Sequence, residues 1–519
     1  MLIDTQPRAA PLGRLHASAA GDAAAPDGSA RWALLAAILA AAAALRLGTL
    51  GSNSLWFDEA LVARLTQLPW PAITATLAAR DVHPPLYFFL MKAWTGLAGT
   101  SEVGLRLPSA LASVFGVWLT YALLRQIASE RAALLGALLV CLSPFDVMAA
   151  QEARMYALLE TLTLASTLAL ILAISHGGRL RWAAYAGISA AMAYTHNLGL
   201  CVLAAHGLWV AGFERCHLRG WLLAACGATL LYAAWIPALW HQFAVVELHH
   251  AWFRRPVGWG DLAGLFGLFA FGGSLFGMPG FFDNGTLAPA TQWLLLAPFL
   301  LLAGHGLTGG AVDLRRRVLL GGCLALPITT MLLISLIKPA FYPRWFSFLL
   351  PFSAMLTALG LEDLAKRVPV RRAALPLLAA GVLVCGMPVL IRYYVDPGFH
   401  PYRWRDAATL VRAEAHRGDF ILYVHSAAEI AFGYYFREPH PSLTLNPIEA
   451  FGEATARPGF TAAQARALAS RYPRVWLIIV TPFDEQMQRR LLPALNSAFA
   501  LRELHDFGRV LVGRLESTR

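Results

Sequence analysis

Long apolar segments separated by short polar loops occupy the first 390 or so residues of the chain. A helix needs about twenty apolar residues to cross the hydrocarbon core of a bilayer. The pattern therefore predicts a polytopic α-helical membrane protein with about eleven transmembrane helices. The predicted spans are 31–50, 105–126, 131–149, 157–175, 182–198, 199–213, 220–238, 291–309, 318–337, 346–361 and 373–391.

Basic residues in the short loops predict the orientation of these spans. Short loops that carry Arg and Lys stay in the cytoplasm. Such loops occur at Arg125 to Arg131, Arg179 to Arg181, Arg215 to Arg219, Arg315 to Arg317 and Lys366 to Arg372. Placing all of them inside puts the N-terminus in the cytoplasm and the last 125 or so residues outside.

Two apolar stretches do not fit a full crossing. Residues 86–99 are too short, and residues 261–278 are rich in glycine. The charge rule places both ends of each stretch on the outer side, which predicts interfacial or re-entrant helices. Residues 51–104 and 239–290 then form two large external loops.

The two ends of the chain have a different pattern. Residues 1–30 are rich in Ala, Gly and Pro and have no periodicity, which predicts a disordered cytoplasmic tail. The membrane domain then covers 31–391. Residues 392–519 contain the amphipathic stretch WRDAATLVRAEAH and the apolar runs DFILYV, VWLIIV and RVLVGRL. These patterns predict a small extracytoplasmic α/β domain.

Composition supports the membrane assignment and removes several classes of protein. The chain is 57% hydrophobic and 14% charged, so the bilayer is its main solvent. Its formal charge of +11 follows the loops that the charge rule places inside, and nucleic acid is not an expected partner. The six cysteines lie in or beside apolar segments without disulfide or metal-thiolate spacing. A Gly-rich phosphate loop and a zinc-protease motif are absent from the sequence.

Adjacent carboxylates occur early in the first external loop, in the stretch LWFDEALVARL. Charged groups near helix ends in a membrane protein usually serve a ligand or one another. Asp58 and Glu59 are therefore candidate catalytic residues, with a general base and a metal ligand as the roles open to Asp58. In the alternative interpretation Asp58 only caps an interfacial helix.

The stretch DVHPPLYFF offers a site for phosphate. Pro84 and Pro85 suit the first turn of a helix, whose free N–H groups attract anions. His83 could add a proton-dependent positive charge, or simply cap the helix. Arg106 begins the next span and is either a phosphate ligand or an anchor. His196, in the turn AYTHNLGL, has the same two readings: a substrate contact or a solvated turn.

Two further clusters lie in turns of the same predicted face. The stretch SPFDVMAAQEARMY contains Asp146, Glu152 and Arg154, which could form a second patch of charged side chains that faces Asp58. In the alternative interpretation these residues are the polar residues of an ordinary turn. The stretch KPAFYPRWFSF contains Lys338, Tyr342 and Arg344 as further candidates. Basic residues are unusual in a short external loop, and a membrane-surface phosphate or a headgroup anchor would explain them. The second external loop adds candidates for sugar or phosphate contact at His241, Glu247, His249, His250, Arg254 and Arg255.

Taken in order, these motifs resemble a known superfamily. They are similar to motifs of bacterial members of the protein O-mannosyltransferase and aminoarabinose-transferase superfamily, which includes rhizobial galacturonosyltransferases. The motifs are SLWFDEALVARL, DVHPPLYFFL, EVGLRLPSAL, LSPFDVMAAQEARMYAL, AYTHNLGL and FYPRWFSFLLP. The resemblance covers residues from about 50 to 365. It implies the GT-C glycosyltransferase architecture and a polyprenyl-phosphate sugar donor.

The resemblance also implies roles for particular residues. Asp58 corresponds to the family's acidic residue in the first external loop, and Arg344 to its external arginine near the lipid phosphate. His83 stands where relatives often carry a lysine, so phosphate binding there should depend on pH. Many relatives have an aspartate two residues beyond an arginine, whereas here Arg154 leads to a tyrosine. That departure leaves Glu152 as the candidate partner of Asp58 for a divalent metal ion.

The expected function is transfer of a sugar, hexosyl or pentosyl, from a polyprenyl-phosphate donor to a lipid, glycan or protein acceptor. The expected location is the periplasmic side of a bacterial inner membrane, in contact with membrane lipids. A carboxylate that deprotonates the acceptor as a lipid phosphate leaves would invert the anomeric centre. The alternatives are a flippase for lipid-linked sugars and an inactive scaffold. Transporters usually place charges near the bilayer midplane and contain repeats, neither of which is visible here.

Overall fold

The computed structural model describes residues 28–249, 256–272, 289–339, 341–367, 380, 386–445, 460–481 and 485–518. The predicted tail, up to residue 27, lies outside the described residues. Most of the predicted span 373–391 and much of the second external loop also lie outside them, including His250, Arg254 and Arg255.

Helices make up the membrane part of the chain. They are α1 (Gly28–Leu47), α2 (Phe57–Leu65), α3 (Trp70–Arg80), α4 (Leu86–Ala98), α5 (Glu102–Ile127), α6 (Glu130–Cys141), α7 (Pro144–Ala150), α8 (Tyr156–His176), α9 (Arg179–Thr195), α10 (Gly199–Phe213), α11 (Leu218–Tyr232), α12 (Ile236–His249), α13 (Trp259–Phe271), α14 (Pro289–Thr308), α15 (Leu314–Ile337), α16 (Leu350–Arg367) and α17 (386–395). A short 3₁₀ segment, Pro343–Leu349, leads directly into α16.

The described residues include six helices long and apolar enough to span a membrane, or seven if the bent pair α6 and α7 is one span. The predicted spans up to residue 361 coincide with helices, but the count of eleven is not confirmed. Helices α10 and α13 and the apolar part of α14 are shorter than a full span. A helix of 15 residues, such as α10, is only about 22 Å long.

Short helices fill the predicted first external loop. Helices α2, α3 and α4 lie between the long helices α1 and α5. The apolar stretch predicted at 86–99 is helix α4, whose 13 residues span about 20 Å and cannot cross the hydrocarbon core. Pro85 is the residue just before this helix rather than part of its first turn.

A break of 61° separates α6 from α7 and is stabilised by a buried arginine. Pro144 at the first position of α7 cannot donate a backbone hydrogen bond, so carbonyls at the end of α6 lose their helical partners. The Arg46 guanidinium donates to the carbonyls of Val140 and Cys141, each at 3.1 Å. An arginine on α1 therefore satisfies the backbone at the break.

Asp146 belongs to this buried network. It forms an ion pair with Arg46 and accepts a hydrogen bond of 2.8 Å from the Ser113 hydroxyl. Only 2% of Asp146 is exposed. The suggestion that Asp146 could face Asp58 is wrong, because the side chain points into the helix bundle, where a buried carboxylate needs a positive partner.

The C-terminal part forms a small α/β domain, as predicted. Its elements are α18 (Trp404–Glu414), β1 (Phe420–Tyr423), α19 (Ser426–Tyr435), β2 (Ser442–Thr444), α20 (Ala462–Arg471), β3 (Arg474–Val480), α21 (Glu485–Asn496), β4 (Phe499–Asp506) and β5 (Val510–Ser517). The sheet order is β2-β1-β3-β5-β4. Strand β1 pairs in parallel with β2 and β3, and β5 is antiparallel to β3 and β4.

The C-terminal domain packs directly on the helices of the first external loop. Helix α19 packs against α2. The Tyr435 hydroxyl accepts a hydrogen bond of 2.7 Å from the Leu55 N–H, just before α2. Arg405 forms an ion pair of 2.6 Å with Glu102 at the start of α5. Helix α2 is thus held between the membrane bundle and the C-terminal domain.

Candidate active site

Four segments meet at one end of the helix bundle: the start of α2, the turn before α4, the turn between α7 and α8, and the segment before α16. Contacts and close charges connect nine of the ten predicted site residues here. The nine are Asp58, Glu59, His83, Arg106, Glu152, Arg154, His196, Tyr342 and Arg344.

Asp58 and Arg154 form an ion pair in this cluster. The Asp58 carboxylate lies 3.7 Å from Arg154 Nε. The Asp58 side chain is 24% exposed, whereas that of Arg154 is 5% exposed. Burial alone would lower the pKa of Arg154, but the negative charge of Asp58 raises it above its ordinary value. The guanidinium therefore stays charged beside a partly exposed carboxylate.

Glu59 is buried and its carboxylate is fully engaged. Arg106 donates two hydrogen bonds of 2.7 Å to its two oxygens. The same guanidinium donates to three backbone carbonyls in the 50–54 loop, at 2.7 to 3.1 Å. Glu59 also accepts hydrogen bonds from the backbone N–H groups of Ala153 (2.9 Å) and Trp56 (3.2 Å). This pair ties the start of α2 to the 50–54 loop, to α5 and to the turn between α7 and α8.

Arg344 forms an ion pair with Glu152 and lies between two aromatic rings. Its guanidinium carbon is 4.5 Å from the Trp56 ring centroid and 5.0 Å from that of Tyr156. Arginine commonly stacks on aromatic faces in this way, and stacking fixes the plane of the guanidinium. A buried arginine with fixed orientation is well suited to hold an anionic group.

His83 is held by a residue that the sequence analysis did not single out. Asp81 Oδ1 lies 2.6 Å from His83 Nδ1 and also accepts hydrogen bonds from the N–H groups of His83 (3.0 Å) and Val82 (2.6 Å). The other ring nitrogen of His83, Nε2, is buried and has no hydrogen-bond partner in the described part of the chain. An aspartate two residues before the histidine was the available signal in the sequence.

His196 lies beside His83, with ring centroids 5.4 Å apart. Its Nδ1 accepts a hydrogen bond of 3.1 Å from the Leu198 N–H, so this nitrogen carries no proton. Burial lowers the pKa of His196 well below its ordinary value, and the charges of His83 and Arg154 lower it further. His196 is therefore a neutral neighbour.

Tyr342 and Lys338 lie in different places. The Tyr342 ring packs edge-on against Trp345, at 6.0 Å between centroids, and burial raises the pKa of the hydroxyl well above its ordinary value. Lys338 lies against α12 instead, where its Nζ donates to the Phe243 carbonyl at 3.1 Å and lies 5.2 Å from the ring centroid.

A small cavity of about 80 Å³ borders the cluster. Trp56 and Glu152 form one wall. Tyr393, His400 and Tyr402, from the segment that leads into the C-terminal domain, form another. These three residues carried no signal in the sequence, because their place at the site depends on how the distant segment packs.

Metal-ligating side chains cluster elsewhere in the described part of the chain. One group of three has donor atoms within 4.8 Å of one another, and it consists of Glu214, Cys216 and His217 between α10 and α11. Glu214 already forms an ion pair of 3.3 Å with Arg315. This group does not include the two carboxylates proposed from the sequence, Asp58 and Glu152.

Comparison with known proteins supports the resemblance drawn from the motifs. Residues 82–241 match the family model described as dolichyl-phosphate-mannose-protein mannosyltransferase. The matched segment runs from the turn with His83, through the Asp146 to Tyr156 region, into α12. No curated protein sequence matches the chain.

Solved structures of membrane glycosyltransferases share the fold. ArnT from Cupriavidus metallidurans bound to undecaprenyl phosphate has a TM-score of 0.61 at 14% identity, covering 94% of this chain and 98% of that one. The Archaeoglobus fulgidus oligosaccharyltransferase with a tethered acceptor peptide has a TM-score of 0.54 at 14% identity, covering 92% and 73%. The mycobacterial arabinofuranosyltransferase AftD has a TM-score of 0.53 at 14% identity, covering 95% and 40%. The chain therefore has the GT-C membrane fold with a small C-terminal sheet, and the resemblance stated from its motifs is confirmed.

Proposed function

We propose that the protein is a membrane glycosyltransferase that moves a hexosyl or pentosyl group from a polyprenyl-phosphate donor to a lipid, glycan or protein acceptor. The observation that carries the proposal is an open carboxylate, Asp58, beside the buried cations Arg154 and Arg344 in a GT-C fold. Two similar structures hold lipid carriers, undecaprenyl phosphate in one and dolichol phosphate in the other.

In the proposed reaction the Asp58 carboxylate accepts the proton of the acceptor hydroxyl. The acceptor oxygen then forms a bond to the anomeric carbon, and the bond from that carbon to the phosphate oxygen breaks. The electron pair leaves with polyprenyl phosphate, and attack opposite the leaving group inverts the anomeric centre. General-base catalysis by Asp58 and electrostatic stabilisation of the leaving phosphate would both lower the energy of the transition state.

Positive groups around Asp58 would stabilise the leaving phosphate. Arg344 is buried and held in orientation by Trp56 and Tyr156, and a phosphate would compete with Glu152 for its guanidinium. Among the described residues, His83 Nε2 has no hydrogen-bond partner, and it lies near the same cluster. Arg154 lies 3.7 Å from the Asp58 carboxylate and adds a further positive charge beside it.

We assign Glu59 and Arg106 to positioning rather than to chemistry or phosphate binding. All five N–H groups of the Arg106 guanidinium are used by Glu59 and by carbonyls of the 50–54 loop. The Glu59 carboxylate accepts bonds from that arginine and from two backbone groups. This pair supports the loop that presents Asp58.

The two candidate metal ligands do not fit a divalent ion in this arrangement. Asp58 faces Arg154, and Glu152 faces Arg344. A divalent ion bound between these carboxylates would have to displace a guanidinium from each, and the resulting unpaired buried cations would be costly. We therefore route no step of the reaction through a metal.

A flippase is not favoured. The charged groups of the site lie at helix ends and in turns, and the site includes a carboxylate with the exposure expected of a base. A transporter would be expected to carry its substrate-binding charges near the middle of the bilayer.

We propose a bacterial inner membrane location with the N-terminus in the cytoplasm and the site and C-terminal domain in the periplasm. The basic loops and the packing of α19 on α2 support this orientation. Alkaline phosphatase fused after residue 420 should be active in the periplasm. Activity of a cytoplasmic reporter at the same position would overturn the topology.

Substitution of Asp58 by Asn tests the proposed base. The amide keeps the size and one acceptor but cannot take a proton, so release of polyprenyl phosphate should slow about 100-fold or more. Glu59→Gln is the adjacent comparison: it should lower the Tm by weakening the Arg106 contacts, and reduce turnover of the folded protein less. Near-native turnover in Asp58→Asn together with inactive, folded Glu59→Gln would show that the other carboxylate is the base.

A further inference from the structure

A buried pair of acids lies at the base of the turn between α7 and α8. Asp146 is on α7 and Glu160 is on the second turn of α8, and each residue is only 2% exposed. Their carboxyl groups lie within hydrogen-bonding distance of each other. Because the turn between them carries Glu152 and Arg154, a bond between the two acids would close that turn at its base.

Arg46 is the cation beside this pair, and all its N–H groups are already used. Its Nε donates to the Ser113 hydroxyl at 2.6 Å, and its terminal nitrogens donate to the Asp146 carboxylate and to three backbone carbonyls of α1 and α6 at 3.1 to 3.3 Å. These bonds account for the five donors of a guanidinium. Arg46 therefore has no N–H group left for Glu160.

One oxygen of each acid still lacks a hydrogen. Asp146 Oδ1 and Glu160 Oε1 are buried, and with both acids ionised neither oxygen has a hydrogen-bond partner in the described part of the chain. A second negative charge would also be uncompensated, because Arg46 already pairs with Asp146. An unpaired buried charge is costly, and two carboxylates that share a site do not both stay ionised. A single proton on the pair removes both costs.

The contacts of Asp146 decide which acid carries that proton. Its Oδ2 accepts hydrogen bonds from Arg46 and from the Ser113 hydroxyl, and both bonds favour the ionised carboxylate. Glu160 Oε1 instead lies against α5, where a Cβ added to Gly116 would come within 2.8 Å of it. The proton therefore belongs to Glu160.

We propose that Glu160 is a positioning residue, held as a neutral carboxylic acid that donates its O–H to Asp146. The bond joins α7 to α8 and fixes the turn between them, so that Arg154 stays beside Asp58. An ionisable group inside a spanning helix usually has a functional reason of this kind. The effect on the site rests on the proposed function, whereas the protonated pair does not.

Two substitutions of Glu160 separate a neutral donor from an ion. Glu160→Gln is uncharged and can still donate from its amide to Asp146, so affinity for undecaprenyl phosphate in nanodiscs should stay within about twofold of wild type. Glu160→Leu has a similar size but no donor. It leaves Asp146 Oδ1 unsatisfied and loosens the turn, so affinity of the folded protein should fall about fivefold or more.

Infrared spectra of the full-length protein report the proton directly. In a maltoside detergent, which has no carbonyl group, the wild-type minus Glu160→Gln difference should contain the carbonyl band of a protonated carboxylic acid. Glu214→Gln is the matched control, because Glu214 is also buried but is paired with Arg315 at 3.3 Å. Its difference spectrum should contain carboxylate bands instead. This comparison holds even where Glu160→Leu does not fold.

Carboxylate bands in the Glu160→Gln difference spectrum would overturn the inference. A loss of affinity in Glu160→Gln as large as that in Glu160→Leu would do the same, because the amide should replace the acid. Failure of the folded wild type to bind undecaprenyl phosphate would overturn the proposed donor and the effect on the site, while the infrared band would still decide whether Glu160 holds the proton.

Discussion

Arg344 and Glu152 show how single residues can set carrier affinity. The two side chains are ion-paired, and the arginine is held between Trp56 and Tyr156. A carrier phosphate must therefore compete with Glu152 for the same guanidinium. The free energy that the phosphate gains is the difference between two charge-assisted contacts rather than the whole of one.

Two substitutions should shift carrier affinity in opposite directions. Arg344→Ala should weaken undecaprenyl phosphate binding, but by less than the roughly 10- to 150-fold that loss of a whole charge-assisted contact of about 1.5 to 3 kcal/mol would cause. Glu152→Gln removes the competitor and should strengthen binding. Titration of both variants in nanodiscs measures the effect, with Lys338→Ala as a control on the same loop. Weaker binding in Glu152→Gln would indicate that Glu152 serves the ligand directly, for example through a metal ion.

Motifs in the sequence predicted most of the residues at the site but not all their partners. Asp58, His83, Arg154 and Arg344 stand in distinctive local patterns, so each could be recognised alone. Asp81 stands two residues before His83 in the sequence, but its role depends on a turn that brings its side chain back to the histidine. The prediction that Asp146 faces Asp58 was wrong because its partner, Arg46 on α1, is a hundred residues away in sequence.

At the scale of elements, the lengths of the apolar segments predicted the positions of the helices well. They predicted the number of membrane-spanning helices less well. The break between α6 and α7 places a proline at the point where one predicted span bends by 61°. Length alone could not show that Arg46 satisfies the carbonyls freed there. Such a break allows the chain to turn within the bundle and to bring Glu152 and Arg154 toward α2.

The apolar runs of the sequence also predicted the central strands of the C-terminal domain. The three apolar runs named from the sequence are β1, β3 and β5, whose side chains are mostly buried. Strands β2 and β4 were not predicted, because they are the two edge strands and many of their side chains are exposed. An exposed edge strand is typically polar and lacks the apolar run that marks a central strand.

At the scale of the whole molecule, the C-terminal domain and the membrane bundle build the site together. Contacts from Tyr435 and Arg405 hold the ends of the first external loop, and Tyr402 and His400 line the adjacent cavity. The sequence placed this domain on the same side as the site but gave no sign that it contributes to its walls. Packing between segments several hundred residues apart supplies that part of the architecture.

The central claim is that this GT-C fold transfers a sugar from a polyprenyl-phosphate carrier. The most direct measurement incubates the purified protein in nanodiscs with a panel of polyprenyl-phosphate sugars and a membrane lipid extract, followed by mass analysis. One donor should be consumed, with release of an equal amount of free polyprenyl phosphate and a matching gain of sugar on an acceptor. Binding of a donor that stays intact, with movement across the bilayer of proteoliposomes, would contradict the claim and identify a transporter.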